Sequence, residues 1–184
     1  METTSTAIEG VLIIEQNIFS DDRGFFLESW NQKKFNQAVG EEINFVQDNH
    51  SHWTKGVLRG LHYQLPPYTQ SKLVRVIEGS VLDVAVDIRR SSPTFGQHVA
   101  VELTSENKHQ LFVPRGFAHG FVVLSNDTIF SYKVDNYYSP EYDRGILFSD
   151  PDLSIDWRLH KDILISSPKD LNHPRLEDAD DLFD

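Results

Sequence analysis

The sequence predicts a mainly β domain, a sandwich or barrel of many short strands with a few short helices. Three observations carry this reading. Apolar residues alternate with period two in several short windows between residues 57 and 134. Turn-forming clusters such as Pro66-Pro67, Ser91-Ser92-Pro93 and Ser125-Asn126-Asp127 separate those windows. The chain also holds 12 Phe, a residue type that fills pleated, half-buried surfaces well.

The elements follow in chain order. A helix is expected from about Asn31 to Val39, closed by Gly40 as a C-terminal cap. A strand through Lys55 to Gln64 places Leu58, Gly60, His62 and Gln64 on one face, with Arg59, Leu61 and Tyr63 on the other. A glycine inside a strand often marks a bulge, and a bulge at Gly60 would let Arg59 and His62 converge. Lys72 shares parity with Val74 and Val76. From Val81 to Ile88 every even position is apolar while the odd positions include Asp83 and Asp87, the pattern of a half-buried strand. Val99, Val101 and Leu103 share one face of a later strand, and Phe130, Tyr132 and Val134 share one face of another. A second helix begins at Ser167, with Pro168 at its first helical position.

Length and charge set the outer limits. With 184 residues and no repeat or composition break, residues 1–184 are expected to form a single domain, with 1–7 and 177–184 as flexible termini. The N-terminal stretch has neither a basic region nor an apolar run, so no signal peptide is expected, and no segment reaches membrane-spanning length. A cytoplasmic protein without membrane partners is the expectation. The net charge of −11 argues against nucleic acid as a partner, so an anionic ligand would need locally placed Arg and Lys. The acidic residues Glu177, Asp178, Asp180, Asp181 and Asp184 read as a solvated tail.

The chain has no Cys, which removes thiolate metal sites and disulfides. Among its eight His, His50 and His52 form an HxH pair, but no Glu or His follows closely enough to complete a metal site. A polar loop or edge position is the better reading of both. His98, His109, His160 and His173 are isolated, with surface positions as the default. For His62, packing in a barrel interior and catalysis are equally open on the residues alone. Tyr132 is expected to point inward, as many buried tyrosines do. Lys72 on an apolar face needs a partner or an edge position, because burying an ammonium alone is costly. Pro114 to Gly120 reads as a tight turn carrying His119, and Asp22 to Glu28 as a turn with Arg23 before an aromatic strand.

Taken together these segments resemble one family, the dTDP-4-dehydrorhamnose 3,5-epimerases of the cupin superfamily. The resemblance rests on Asp22-Arg23-Gly24-Phe25-Phe26-Leu27-Glu28, Gln47-Asp48-Asn49, Gly56 to Gln64, Ser71 to Val76, Val81 to Arg89 and Pro114 to Phe121. Tyr132, Tyr137-Tyr138 with Pro140, Asp150-Pro151 and Lys169-Asp170 continue it, over residues 8 to 175. The ordered set is specific, although no single motif is.

The resemblance implies a jelly-roll barrel, a homodimer and no cofactor. It implies no metal, since Tyr63 and Gln64 follow His62 where the superfamily's metal-binding HxH would stand. The activity it implies is double epimerisation of a dTDP-linked 4-keto-6-deoxyhexose. His62 would be the base, Asp170 its orienting partner, Tyr132 the acid on the opposite face of the sugar, and Lys72 the cation at the enolate oxygen. Arg59, His119, Phe121 and Lys169 would contact the ligand. Arg23, Phe26, Glu28, Gln47 and Asn49 match binding positions built partly across the dimer, and Tyr138 matches a residue that stacks on thymine. Asp143 departs from the pattern, because the family commonly carries Glu there. Three rivals stay open: an epimerase that inverts a single carbon, a non-catalytic nucleotide-sugar-binding module on the same fold, and a metal-dependent cupin enzyme; a related ketoisomerase is disfavoured because Tyr132 and Tyr138 match the epimerase pattern.

Overall fold

The computed structural model describes residues 1–184. The strands are β1 (Glu2–Ser5), β2 (Leu12–Glu15), β3 (Ile18–Asp21), β4 (Gly24–Leu27), β5 (Gln47–Trp53), β6 (Leu58–Gln64) and β7 (Lys72–Glu78). They continue as β8 (Ser80–Asp87), β9 (His98–Thr104), β10 (Gln110–Val113), β11 (Phe117–Val123), β12 (Thr128–Val134) and β13 (Asp143–Gly145). Two short helices, α1 (Gln32–Val39) and α2 (Pro168–Leu171), complete the set. Both begin where the sequence signals them. Asn31 caps α1 and Gly40 closes it at φ 82°, a left-handed conformation open to glycine. Ser167 caps α2, with Pro168 in its first turn.

One sheet has six strands in the order β1-β2-β10-β7-β12-β5, and the other has five in the order β13-β6-β11-β8-β9. Every pairing within them is antiparallel. The two sheets stack as a jelly-roll sandwich and are not hydrogen-bonded into a closed barrel. Between them lies a core that takes Val74, Val76 and Phe130 from one sheet and Val81, Ala85, Phe117 and Phe121 from the other.

A second apolar layer corrects the expectation for residues 81–88. The even residues Leu82, Val84 and Val86 do not face the space between the sheets. They face outward, against Ile146, Phe148, Leu153 and Trp157 of the segment that follows β13. The odd residues, Asp83 included, face inward, so β8 is buried on both faces rather than one. The six-stranded sheet is covered in the same way, with Phe35 of α1 and Ile43 packed on Ile14, Leu73 and Phe112.

Both chain ends make backbone contacts while their polar side chains stay exposed. β1 pairs with β2 over four residues. In the acidic tail Ala179 is buried, Asp181 accepts a hydrogen bond from the Tyr63 hydroxyl through its backbone carbonyl at 2.9 Å, and Phe183 bonds to the backbone of Ile88 and Arg90. No helix is long and apolar enough to cross a membrane.

Candidate active site

The two sheets open at one end into a cleft, and the bulge at Gly60 builds one wall of it. On β11, His119 pairs with His62 and Phe121 pairs with Arg59, so β6 carries one more residue than its partner between those points. The extra residue is accommodated where two glycines meet: Gly60 sits at φ 134°, and a Cβ there would lie 2.5 Å from the Gly120 Cα. The bulge puts Arg59 and His62 on the inner side together. It also moves Leu58 to the outer face with Leu61 and Tyr63, against the strict alternation expected from the sequence.

Behind His62, the first turn of α2 presents a carboxylate. The Ser167 hydroxyl accepts from the Asp170 backbone N–H at 3.1 Å, which fixes the turn. His62 Nε2 then lies 2.6 Å from Asp170 Oδ1. With Nε2–H donating to the carboxylate, Nδ1 keeps the free lone pair. Burial alone would raise the Asp170 carboxyl, but the His173 and His62 imidazoles beside it hold it well below the usual carboxylate range. Burial dominates at His62 and lowers it below the ordinary imidazole value. Asp170 opposes that shift, and Lys72 adds to it.

The facing sheet supplies a cation and a phenol. Lys72 stands on β7, an inner strand between β10 and β12, so an edge position does not explain it. It is buried, and its Nζ donates across the cleft to the His62 carbonyl at 3.3 Å. Burial pulls its ammonium down to about 8, partly countered by Asp143 and Asp83. Tyr132, from β12, packs against the inner core and borders the same cleft. Burial raises its phenol; Arg59 opposes that and Asp143 reinforces it.

These groups share a space of about 430 Å³ that also touches Gln47, Asn49, Tyr138 and Lys169. It continues into a deeper recess of about 280 Å³ past Lys72 and Tyr132, bordered by His119 and Phe121. Gln47 and Asn49 are joined side chain to side chain at 3.0 Å on β5. Arg59 lies over the Trp53 ring at 5.2 Å. Asp143 already has two partners: it accepts from the Tyr138 hydroxyl at 3.0 Å and pairs with Lys169.

Three expected ligand contacts are not brought here. Arg23, Phe26 and Glu28 lie on or beside the β3–β4 ribbon, a separate two-stranded sheet. The Arg23 side chain is 90% exposed and pairs with Asp21 beside it, and Glu28 pairs with Lys34. Phe19 and Phe26 face each other across the ribbon, 64% and 68% exposed. Large aromatic side chains exposed as a group mark a surface that another surface covers.

A family model described as dTDP-4-dehydrorhamnose 3,5-epimerase matches residues 5–178. The chain belongs to the dTDP-4-dehydrorhamnose 3,5-epimerase family. It is 57% identical over 180 residues to the protein of that name from Shigella flexneri, covering 98% of each chain. To its namesake from Pseudomonas aeruginosa it is 52% identical, again covering 98% of each. The fold is similar, with a TM-score of 0.94 and 50% identity, to the crystal structure of a dTDP-6-deoxy-D-glucose-3,5-epimerase from Legionella pneumophila in complex with dTDP-4-keto-L-rhamnose. That match covers 97% of this chain and 94% of the other.

Two residues at this epimerase-family site escape the sequence reading. Asp83, fully buried on β8, lies 2.8 Å from His119 Nε2 and so orients that imidazole. The signal was its parity with Val81 and Ala85, which face the inner core. His173, expected at the surface, has a side chain only 10% exposed and stands 3.6 Å from Asp170. Its signal was the three-residue spacing from Asp170, short enough for the chain leaving α2 after its cap at Asn172 to bring the two together.

Proposed function

We propose that the chain inverts carbons 3 and 5 of dTDP-4-dehydro-6-deoxy-D-glucose, giving dTDP-4-dehydro-L-rhamnose without a cofactor. The observation that carries this reading is that His62 and Tyr132 enter one cleft from opposite sheets. Inversion needs a proton taken from one face of the sugar ring and another delivered to the opposite face.

The C–H bonds at carbons 3 and 5 are acidified by the 4-keto group, because the carbanion delocalises onto its oxygen. His62 Nδ1 removes the proton, and Asp170 keeps the imidazole in the required tautomer and balances the imidazolium as it forms. Lys72 stabilises the enolate oxygen, where charge develops in the transition state. Tyr132 returns a proton to the other face. Its elevated pKa keeps it protonated at neutral pH.

Arg59, His119, Phe121 and Lys169 hold the sugar and diphosphate, with Asp143 bracing Lys169, and Tyr138 stacks on the thymine. Gln47 and Asn49 complete this wall. Arg23, Phe26 and Glu28 serve the site of a second copy, so the working form is a homodimer, and the cytoplasm is its location. The sugar nucleotide held by the Legionella relative supports this substrate class.

Turnover in heavy water tests the reading. Deuterium is expected at both carbon 3 and carbon 5. Label at a single carbon would replace the double epimerase with a single-carbon enzyme, and no label at either would leave a binding module.

A further inference from the structure

Asp170 has a second imidazole beside it that the proposed chemistry does not use. His173 Nε2 lies 3.6 Å from the same Oδ1 that receives His62, and the two rings meet edge-on with centroids 5.6 Å apart. Two imidazole nitrogens and one carboxylate oxygen thus fall within 4.8 Å of one another. The His173 ring has a seat cut for it. It lies against Gly145 of β13, where an added Cβ would come within 2.4 Å of Nε2. The next residue, Pro174, is anchored by its carbonyl to the Leu147 N–H at 2.8 Å. Seated there, His173 Nε2 is buried and has no hydrogen-bond partner. An unsatisfied polar atom in such a place calls for a ligand.

We propose that His62, Asp170 and His173 form a binding site for a divalent transition-metal ion of the zinc class, and that the ion switches the epimerase off. Two imidazoles and one carboxylate suit zinc, nickel or copper rather than magnesium or calcium, which prefer all-oxygen sites. Ligand atoms about 2.1 Å from one ion lie about 3–3.5 Å apart; the 2.6 Å and 3.6 Å separations from Asp170 lie near that range, and the two imidazole nitrogens, within 4.8 Å of each other, would close on a bound ion. Alongside His173 runs a groove bordered by Asp178 and Asp180, which draws cations inward. The basic groups on that groove are engaged, Lys169 by Asp143 and Arg144 by Asp181.

The inhibition follows from proton bookkeeping and rests on His62 being the base. In the active tautomer the proton sits on Nε2 and the lone pair on Nδ1. A metal taking the Nε2 lone pair leaves the proton on Nδ1. No proton leaves the ring, and the nitrogen that should accept one from the sugar no longer can.

The test uses the full-length protein, stripped with a chelator, beside His173→Asn and His173→Gln. Cobalt binding is followed by its visible absorption, and zinc is followed both by calorimetry and by its effect on turnover. One cobalt per chain is expected in the unsubstituted protein, with zinc inhibition that a chelator reverses. The His173 variants should lose zinc affinity, read by calorimetry, by on the order of 10-fold or more. Equal zinc affinity in all three proteins, or no stoichiometric cobalt in the unsubstituted one, would overturn the site. Because cobalt absorption does not depend on turnover, a chain that binds metal here but never epimerises would sink the functional reading and leave the site standing.

Discussion

Asp170 Oδ1 meets His62 Nε2 at 2.6 Å although 108 residues separate them in the chain. The carboxylate is 2% exposed, so its charge acts with little screening by water. Asp170→Asn keeps the shape but removes the charge that balances an imidazolium. It also permits the wrong tautomer, with the proton on Nδ1. A fall in kcat on the order of 10²–10⁴-fold is expected, with KM little changed. Steady-state kinetics on the variant check this, and a loss under about threefold would remove Asp170 from the mechanism.

The His62–Asp170 pairing came from the family resemblance, since no local pattern joins residues 108 apart; what local pattern encodes is which single residues stand out of place. Lys72 stood out because a charge on an apolar face must have a reason. Gly60 stood out because strands avoid glycine, and the bulge it marks does join Arg59 to His62. The facing of β8 was hidden because alternation shows that two faces differ, not which one meets solvent. The segment after β13 covers the face opposite Asp83, and nothing within residues 81–88 announces that cover. His173 was passed over for a related reason. Its burial depends on a gap above Gly145, a contact set by tertiary structure alone.

The rate should have a bell-shaped dependence on pH, set by two groups in opposite states. His62 must be neutral to accept a proton. Burial lowers its pKa, so kcat/KM should fall on the acid side only below about 6.5, the ordinary imidazole value. Lys72 must be charged to stabilise the enolate. Its ammonium is lost as pH rises through about 8, so the rate should fall again there. Lys72→Arg separates the two limbs. A guanidinium stays charged, so the alkaline limb should move upward even as the rate drops. An unmoved alkaline limb would mean that another group sets it.

Tyr132→Phe should uncouple exchange from inversion. The variant keeps the ring packed against Phe130, whose centroid is 5.9 Å away, but has no proton to give. His62 can still remove a proton and return one to the same face. In heavy water, deuterium should therefore enter the substrate with retention, while formation of the L-sugar falls on the order of 10²-fold or more. Nuclear magnetic resonance of the recovered sugar distinguishes the two. Full inversion with normal kcat would assign the acid to another residue.

The exposed ribbon makes a prediction about assembly. Arg23 sits at the turn between β3 and β4, next to Phe19 and Phe26 and far more exposed than any group in the cleft. If that ribbon completes the cleft of a second copy, each site takes residues from two chains. Arg23→Ala and His62→Ala would then damage different halves of a shared site. Each homodimer should be nearly inactive, one through weakened substrate binding and the other through loss of its base. Mixed dimers formed by co-expression contain one site with both defects and one site with neither. Activity should return in the mixed species, up to about half that of the unsubstituted dimer per molecule, because steps on separate sites add independently. Differently tagged chains purified in tandem isolate that species, and light scattering gives its mass. Without recovery in a verified mixed dimer, the ribbon would belong to its own protomer's site, or to none.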